Sequence, residues 1–162
     1  MQLTVDRLRA LLEYNPDTGV FTRRVTTSSR AIAGAAVGTI SGNGYLQFRV
    51  DGRIYLAHRL AWLYMTGQWP DRDIDHIDGT RNNNQWKNMR AATRSQNIAN
   101  SGIWKSNRTG HKGVVQDRTL AWRAAITIDG KYLALGTFQT KEQAHAAYRT
   151  AAVNHFGEFA RV

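Results

Sequence analysis

Two Asp-Gly pairs, each set between runs of alternating apolar and polar residues, constrain the fold of this chain more than any other feature. Tyr45-Leu46-Gln47-Phe48-Arg49-Val50 alternates, Asp51-Gly52 follows, and Ile54 and Leu56 resume the pattern. Trp122 to Ile128, Asp129-Gly130 and Tyr132 to Phe138 are built the same way. Asp-Gly readily takes the left-handed backbone that a two-residue hairpin turn requires, so both stretches predict hairpins. They share hairpin grammar rather than forming a repeat. A helix pattern follows each one. Leu60, Ala61, Leu63 and Tyr64 lie between His58 and the stop at Gly67 and Pro70, while Ala144, Ala147, Tyr148, Ala151 and Ala152 form a stripe from about Thr140 to His155. Segregated strands and helices give an α+β class.

The remaining segments are shorter. Residues 4 to 14 place Val5, Leu8, Leu11 and Leu12 on one helical face, and Asn15-Pro16-Asp17-Thr18-Gly19 ends that helix in a turn before a strand at Val20 to Arg23. Residues 26 to 36 read as loop. A strand running into His76, a loop containing Asn82, Asn83 and Asn84, and a return strand near Asn88 to Ala92 are expected next. Thr93-Arg94-Ser95-Gln96 fits a capping box that opens a helix bearing Asn97. Ala99 to His111 is small, polar and basic without periodicity, and a strand follows from Lys112 to Arg118. The expected organisation is an N-terminal helix and hairpin region at 1–57, a core at 58–100, a linker at 101–111 and a C-terminal domain at 112–162.

Charge narrows the partner. The chain has 22 Lys and Arg against 12 Asp and Glu, a net +10, and division after residues 57 and 106 leaves about +3, +3 and +4. Positive charge spread through every part favours a polyanion such as nucleic acid. The absence of cysteine excludes disulfides and thiolate zinc sites, so any metal must sit on oxygen or imidazole. The N-terminus has no signal-peptide core and the apolar run Ala31 to Ile40 is too short to span a bilayer, which predicts a soluble, cytoplasmic protein with no membrane partner.

Asp75-His76, Asn88 and Asn97 carry the candidate chemistry. A phosphodiester is anionic and resists attack, so its hydrolysis calls for a cation on the phosphate oxygens and a base to activate water. His76 at a strand end is the natural base, because a neutral imidazole accepts a proton near neutral pH. Asp75 and Asn97 offer hard oxygens, which suit one Mg²⁺ or Mn²⁺ better than Zn²⁺. Asn88 could hold the His76 ring. Singly, each has an ordinary structural reading: an incidental Asp-His pair, a turn asparagine, an exposed helix position. The ordered set points to chemistry.

Residues 54 to 100, with His58-Arg59-Leu60-Ala61-Trp62, Ile74-Asp75-His76-Ile77-Asp78-Gly79, Asn88-Met89-Arg90 and Gln96-Asn97, resemble the HNH endonucleases of phage and intron origin. The resemblance implies a ββα-metal core with His76 as general base, Asp75 and Asn97 as metal ligands and Asn88 orienting the base or tying the loop. Asn97 stands where many members have a final His, as in nicking homing endonucleases. The implied activity is hydrolysis of double-stranded DNA with one divalent ion and no small-molecule cofactor, leaving 5′-phosphate ends. One site per chain makes a nicking monomer the default. Asn84 matches a loop asparagine of the group and reads as a turn-former, and His58 as a structural residue.

Residues 112 to 160, with Lys112-Gly113-Val114, Trp122, Ile126, Leu135-Gly136-Thr137-Phe138, Glu142-Gln143-Ala144, Ala147-Tyr148 and Phe156-Gly157-Glu158, resemble the apetala-two/ethylene-response-factor DNA-binding domain. That family lays a three-stranded antiparallel sheet, packed on one helix, in the major groove. Where plant members carry first-strand arginines this chain has Val115 and Asp117. Lys112, Gln116, Arg118, Arg123, Lys131 and Tyr132 are therefore the candidate DNA contacts, several of them to phosphate. The alternative function is a DNA-binding regulator whose nuclease core has decayed.

Overall fold

A computed structural model of the chain describes residues 2–162, which divide into two units at residues 2–91 and 92–162. The division falls ahead of the helix bearing Asn97, whereas the sequence suggested a boundary at residue 100. Among the described residues no helix is long and apolar enough to cross a membrane.

The first unit opens with α1 (Val5–Leu11), capped by the Thr4 hydroxyl, which accepts from the Arg7 amide at 3.3 Å, and burying Leu8 completely. The helix stops sooner than its apolar periodicity predicts. Leu12 already has φ −132° and ψ 150°, and it begins β1 (Leu12–Asn15), which pairs antiparallel with β2 (Val20–Arg23). The reason lies in the turn. Asn15 Oδ1 accepts from the amides of Asp17 and Thr18 at 2.9 and 3.1 Å, so Pro16 to Gly19 close a hairpin rather than end a helix. Leu12 and Tyr14 alternate inward against Glu13 and Asn15, a period of two that the Leu11-Leu12 pair disguises.

A three-stranded sheet follows in the order β3 (Thr39–Ile40), β4 (Leu46–Val50), β5 (Arg53–Leu56). Its expected turn is present, with φ 45° at Asp51 and 81° at Gly52. α2 (Ala57–Thr66) ends at Gly67 with φ 77° and buries Ala57, Leu60, Ala61 and Leu63. The core centres on Phe21, fully buried, whose ring lies 4.8 Å from Tyr14 and 5.3 Å from Phe48. Burying each such side chain stabilises by about 1.5–3 kcal/mol. The unit closes with β6 (Asp73–His76), a 3₁₀ turn at Trp86–Asn88 and β7 (Met89–Ala92), with β6 and β7 forming a two-stranded sheet.

The second unit begins with α3 (Arg94–Asn100), whose capping box joins Thr93 and Gln96 as the sequence suggests. β8 (Val114–Gln116), β9 (Trp122–Ile128) and β10 (Lys131–Phe138) form an antiparallel sheet in the order β10-β9-β8. α4 (Lys141–Phe156) carries a second capping box, Thr140 with Gln143, and buries Ala144, Tyr148, Ala152 and Phe156. Val114, Ala124 and Ile126 supply the buried sheet face, and Ala99 of α3 joins the cluster of Ile126, Tyr148 and Phe156. Small alanines let the helix lie close to the sheet. The stretch expected to be a linker is tied down by Lys112, whose Nζ donates to the carbonyls of Ala99, Ser101 and Arg161 at 2.6, 2.9 and 2.9 Å.

Candidate active site

β6 delivers Asp75 and His76 as consecutive residues, both nearly inaccessible, with 3% and 4% of their surface exposed. A strand with one solvated face would bury only one of them. Here both neighbours are polar, and each is fixed by a named partner. Arg90 on β7 donates from Nε to Asp75 Oδ2 at 2.9 Å, a pair whose side chains are 13% and 4% exposed. The His76 ring places Nε2 3.0 Å from Asn84 Oδ1.

That contact corrects one expectation. Asn88, proposed from sequence to hold the His76 ring, has its side chain committed elsewhere. Its Nδ2 donates to Asp78 Oδ1 at 3.0 Å and to the Asn83 carbonyl at 2.8 Å, and its Oδ1 accepts from the Asp78 amide at 3.0 Å. The Asn88 carbonyl also accepts from the Ile77 amide at 2.9 Å, so Asn88 ties the loop that leaves His76. Asn84, read as a turn-former, is the ring's partner and is 1% exposed. Three consecutive asparagines at 82 to 84 mark the loop without revealing which of them turns inward.

Asp78 completes the loop's bonding. Its carboxylate accepts from the Thr80 amide at 2.7 Å and from Asn83 Nδ2 at 2.8 Å. Burial pushes its carboxyl up, but the bonds from Asn83, Thr80 and Asn88 outweigh this and hold it below the usual carboxylate range.

His58, on the first turn of α2, also belongs to this cluster rather than to a separate structural layer. Its ring lies 5.3 Å from His76 at 80°, edge to face, with Tyr45 5.1 Å away on another side. Burial, then the adjacent His76, push the His58 imidazole down to about 3. Burial likewise lowers His76 below its usual 6.5, although the Asn84 bond and the charges of Asp78 and Asp75 oppose it. Both rings are neutral at pH 7, so His76 is in the form that accepts a proton.

Asn97 stands on α3 in the second unit, half-buried, with its amide donating to the Thr93 carbonyl at 3.0 Å. Among the described residues no three His, Cys, Asp or Glu side chains cluster so as to hold a metal. The candidate DNA contacts separate into two groups. Lys112 is not available as one, because all three of its ammonium donors are used inside the unit. Burial and Arg161 push it down to about 8, still charged at pH 7. Gln116 donates to the Leu120 carbonyl at 3.3 Å, while Arg118, Arg123, Lys131 and Tyr132 are exposed. Asp117 binds the turn before β9, accepting from the Thr119 hydroxyl and amide at 2.7 and 2.8 Å.

Residues 55–99 match the family model described as HNH endonuclease. The chain is 34% identical over 110 residues to "Uncharacterized HNH endonuclease L560" of Acanthamoeba polyphaga mimivirus, covering 67% of this chain and 57% of that protein. It is 37% identical over 90 residues to Protein 3.8 of Escherichia phage T7, covering 54% of this chain and 73% of the phage protein. Among solved structures, one described as "DNA binding and cleavage by the HNH homing endonuclease I-HmuI" aligns with TM-score 0.44 and 20% identity, over 62% of this chain and 57% of that one. The chain thus spans little more than half the length of the mimivirus relative. The family match lies on the segment that carries Asp75, His76 and Asn88, so residues 55–99 of this chain form an HNH endonuclease family domain.

Proposed function

We propose that this protein is a divalent-metal-dependent endonuclease that hydrolyses phosphodiester bonds in double-stranded DNA, one strand per encounter and with a site preference of the homing type. The observation that carries the reading is the His76 imidazole, buried, neutral and anchored at Nε2 by Asn84. With Nε2–H donating to Asn84 Oδ1, the lone pair is on Nδ1, and this is the nitrogen that takes the proton from the attacking water.

The donor chemistry fits a hard cation. Asp75 presents a carboxylate whose Oδ2 is oriented by Arg90, an arrangement that fixes a ligand oxygen. Asp75 and Asn97 would hold one Mg²⁺ or Mn²⁺, which when bound supplies Lewis-acid stabilisation of charge on the phosphate oxygens. Asn88 and Asp78 keep the loop in the shape that presents His76.

The second unit reads as the duplex binder, a three-stranded sheet on one helix of apetala-two/ethylene-response-factor type, with the exposed Arg118, Arg123, Lys131 and Tyr132 as contacts. The net +10 supports a polyanionic partner. A supercoiled-plasmid assay with Mg²⁺ tests the proposal. Parent protein nicks, chelation stops it, and His76→Ala slows it by about 10²- to 10⁴-fold. Equal rates for parent and His76→Ala would reject the base. Duplex binding without any nicking by the parent would instead favour a regulator with an inactive core.

A further inference from the structure

The β1–β2 hairpin touches neither Asp75 nor His76 through any bond described above, yet it grips the loop that does. Tyr14 Oη donates to the Asn84 carbonyl at 2.7 Å in a buried bond that joins residues 70 apart in sequence. The tyrosine cannot swing away, since it is 4% exposed and its ring is held by Phe21 at 4.8 Å and Tyr64 at 5.8 Å. Two residues further along the turn, the Pro16 carbonyl accepts from the Trp86 amide at 2.8 Å. Gly19 lies directly against the same stretch. A Cβ there would run into the Asn84 carbonyl carbon and come within 2.6 Å of the Gln85 amide nitrogen, and its φ of +73° already disfavours other residues. The hairpin therefore holds three consecutive loop residues, 84, 85 and 86, by their backbone.

Asn84 translates that hold into ring geometry. Its Oδ1 bonds His76 Nε2, but its Nδ2, buried, has no hydrogen-bond partner among the described residues. No bond on that nitrogen orients the amide, so its placement follows from where the backbone is held. From these contacts we infer that the N-terminal hairpin is a positioning element for the catalytic base, acting through Tyr14, Gly19 and the Asn84 amide to fix the His76 tautomer and ring orientation. The inference rests on His76 being the base.

Two readouts test it on the full-length protein, the ¹⁵N imidazole spectrum of His76 and the steady-state nicking of supercoiled plasmid with Mg²⁺. The parent shows a single Nε2–H tautomer. Tyr14→Phe removes one oxygen, mixes the tautomers and lowers kcat by about 3- to 10-fold with KM for DNA unchanged. Gly19→Ala displaces the loop and costs about 10²-fold. In an Asn84→Ala background, Tyr14→Phe causes no further loss, because the route to His76 is already cut. A parental tautomer spectrum and parental kcat in Tyr14→Phe would overturn the inference, as would a loss that adds in full to that of Asn84→Ala. If Gly19→Ala fails to fold, Tyr14→Phe still decides. If the parent does not nick, the nuclease reading falls while the imidazole spectrum still reports whether the hairpin fixes the ring.

Discussion

The loop from residue 77 to 88 and the outer surface of the second unit's sheet are both polar, and they use polarity in opposite ways. In the loop, Asp78, Asn83, Asn84 and Asn88 bond to one another, to backbone and to His76. On the sheet and the turn between β8 and β9, Arg118, Arg123, Lys131 and Tyr132 are exposed, and none makes a side-chain hydrogen bond among the described residues. The contrast suits the two tasks proposed for these regions. Proton transfer needs a base already in position when water arrives, so its surroundings are satisfied in advance. A phosphate contact needs a charge that can reach out, so its side chain is left mobile in solvent.

The sharpest way to break this comparison is at His76. His76→Ala should leave duplex affinity intact while nicking falls by about 10²- to 10⁴-fold, read in binding and plasmid assays side by side. A comparable loss of DNA affinity would mean that the two regions do not divide the labour. Lys112 gives the next largest effect, on stability. Lys112→Met removes three hydrogen bonds, two of them part-buried and one exposed, and should lower the unfolding free energy by about 2 kcal/mol in thermal or denaturant unfolding, with duplex affinity of the folded fraction unchanged. A loss of affinity without a loss of stability would return Lys112 to the DNA-contacting set.

The buried imidazoles predict a pH signature. His58 is lowered from 6.5 to about 3 in the fold, so the unfolded chain binds its proton first as pH falls. Stability from this group is complete above 6.5 and declines through the window down to about 3, by about 1.4 kcal/mol per pH unit at most. His58→Gln should flatten that acid limb in urea titrations, and an unchanged limb would assign it to other groups. The smallest effect is expected on the sheet. Arg123→Ala should weaken duplex binding by about 1 kcal/mol and reduce the log–log salt slope by about one unit, as loss of a single phosphate contact would. A change confined to one DNA sequence would make Arg123 a base reader instead.

Much of the fold could be read in the residues. The two Asp-Gly turns, β9 from Trp122 to Ile128, the stop at Gly67 and the Thr93 capping box depend on neighbours within a few positions, and the structure has them where the pattern indicates. Leu12 to Asn15 looks helical for a local reason too: apolar Leu11 and Leu12 continue the helical face, and only pairing with Val20–Arg23 makes the segment a strand. The site divides along the same line. Asp75-His76 stands out as a pair of reactive side chains ahead of an asparagine-rich loop. That Asn84 rather than Asn88 meets the ring, and that Lys112 turns inward, depends on partners many residues away.

What the sequence determined by itself was therefore the chemistry on offer and the local elements that carry it: an imidazole beside a carboxylate, hairpins at Asp-Gly and a basic surface. Tertiary structure decided which polar groups were paired. Backbone turns follow from a few adjacent dihedrals, whereas the bond from Tyr14 to Asn84 and the pair of Arg90 with Asp75 form only when distant segments share one buried space.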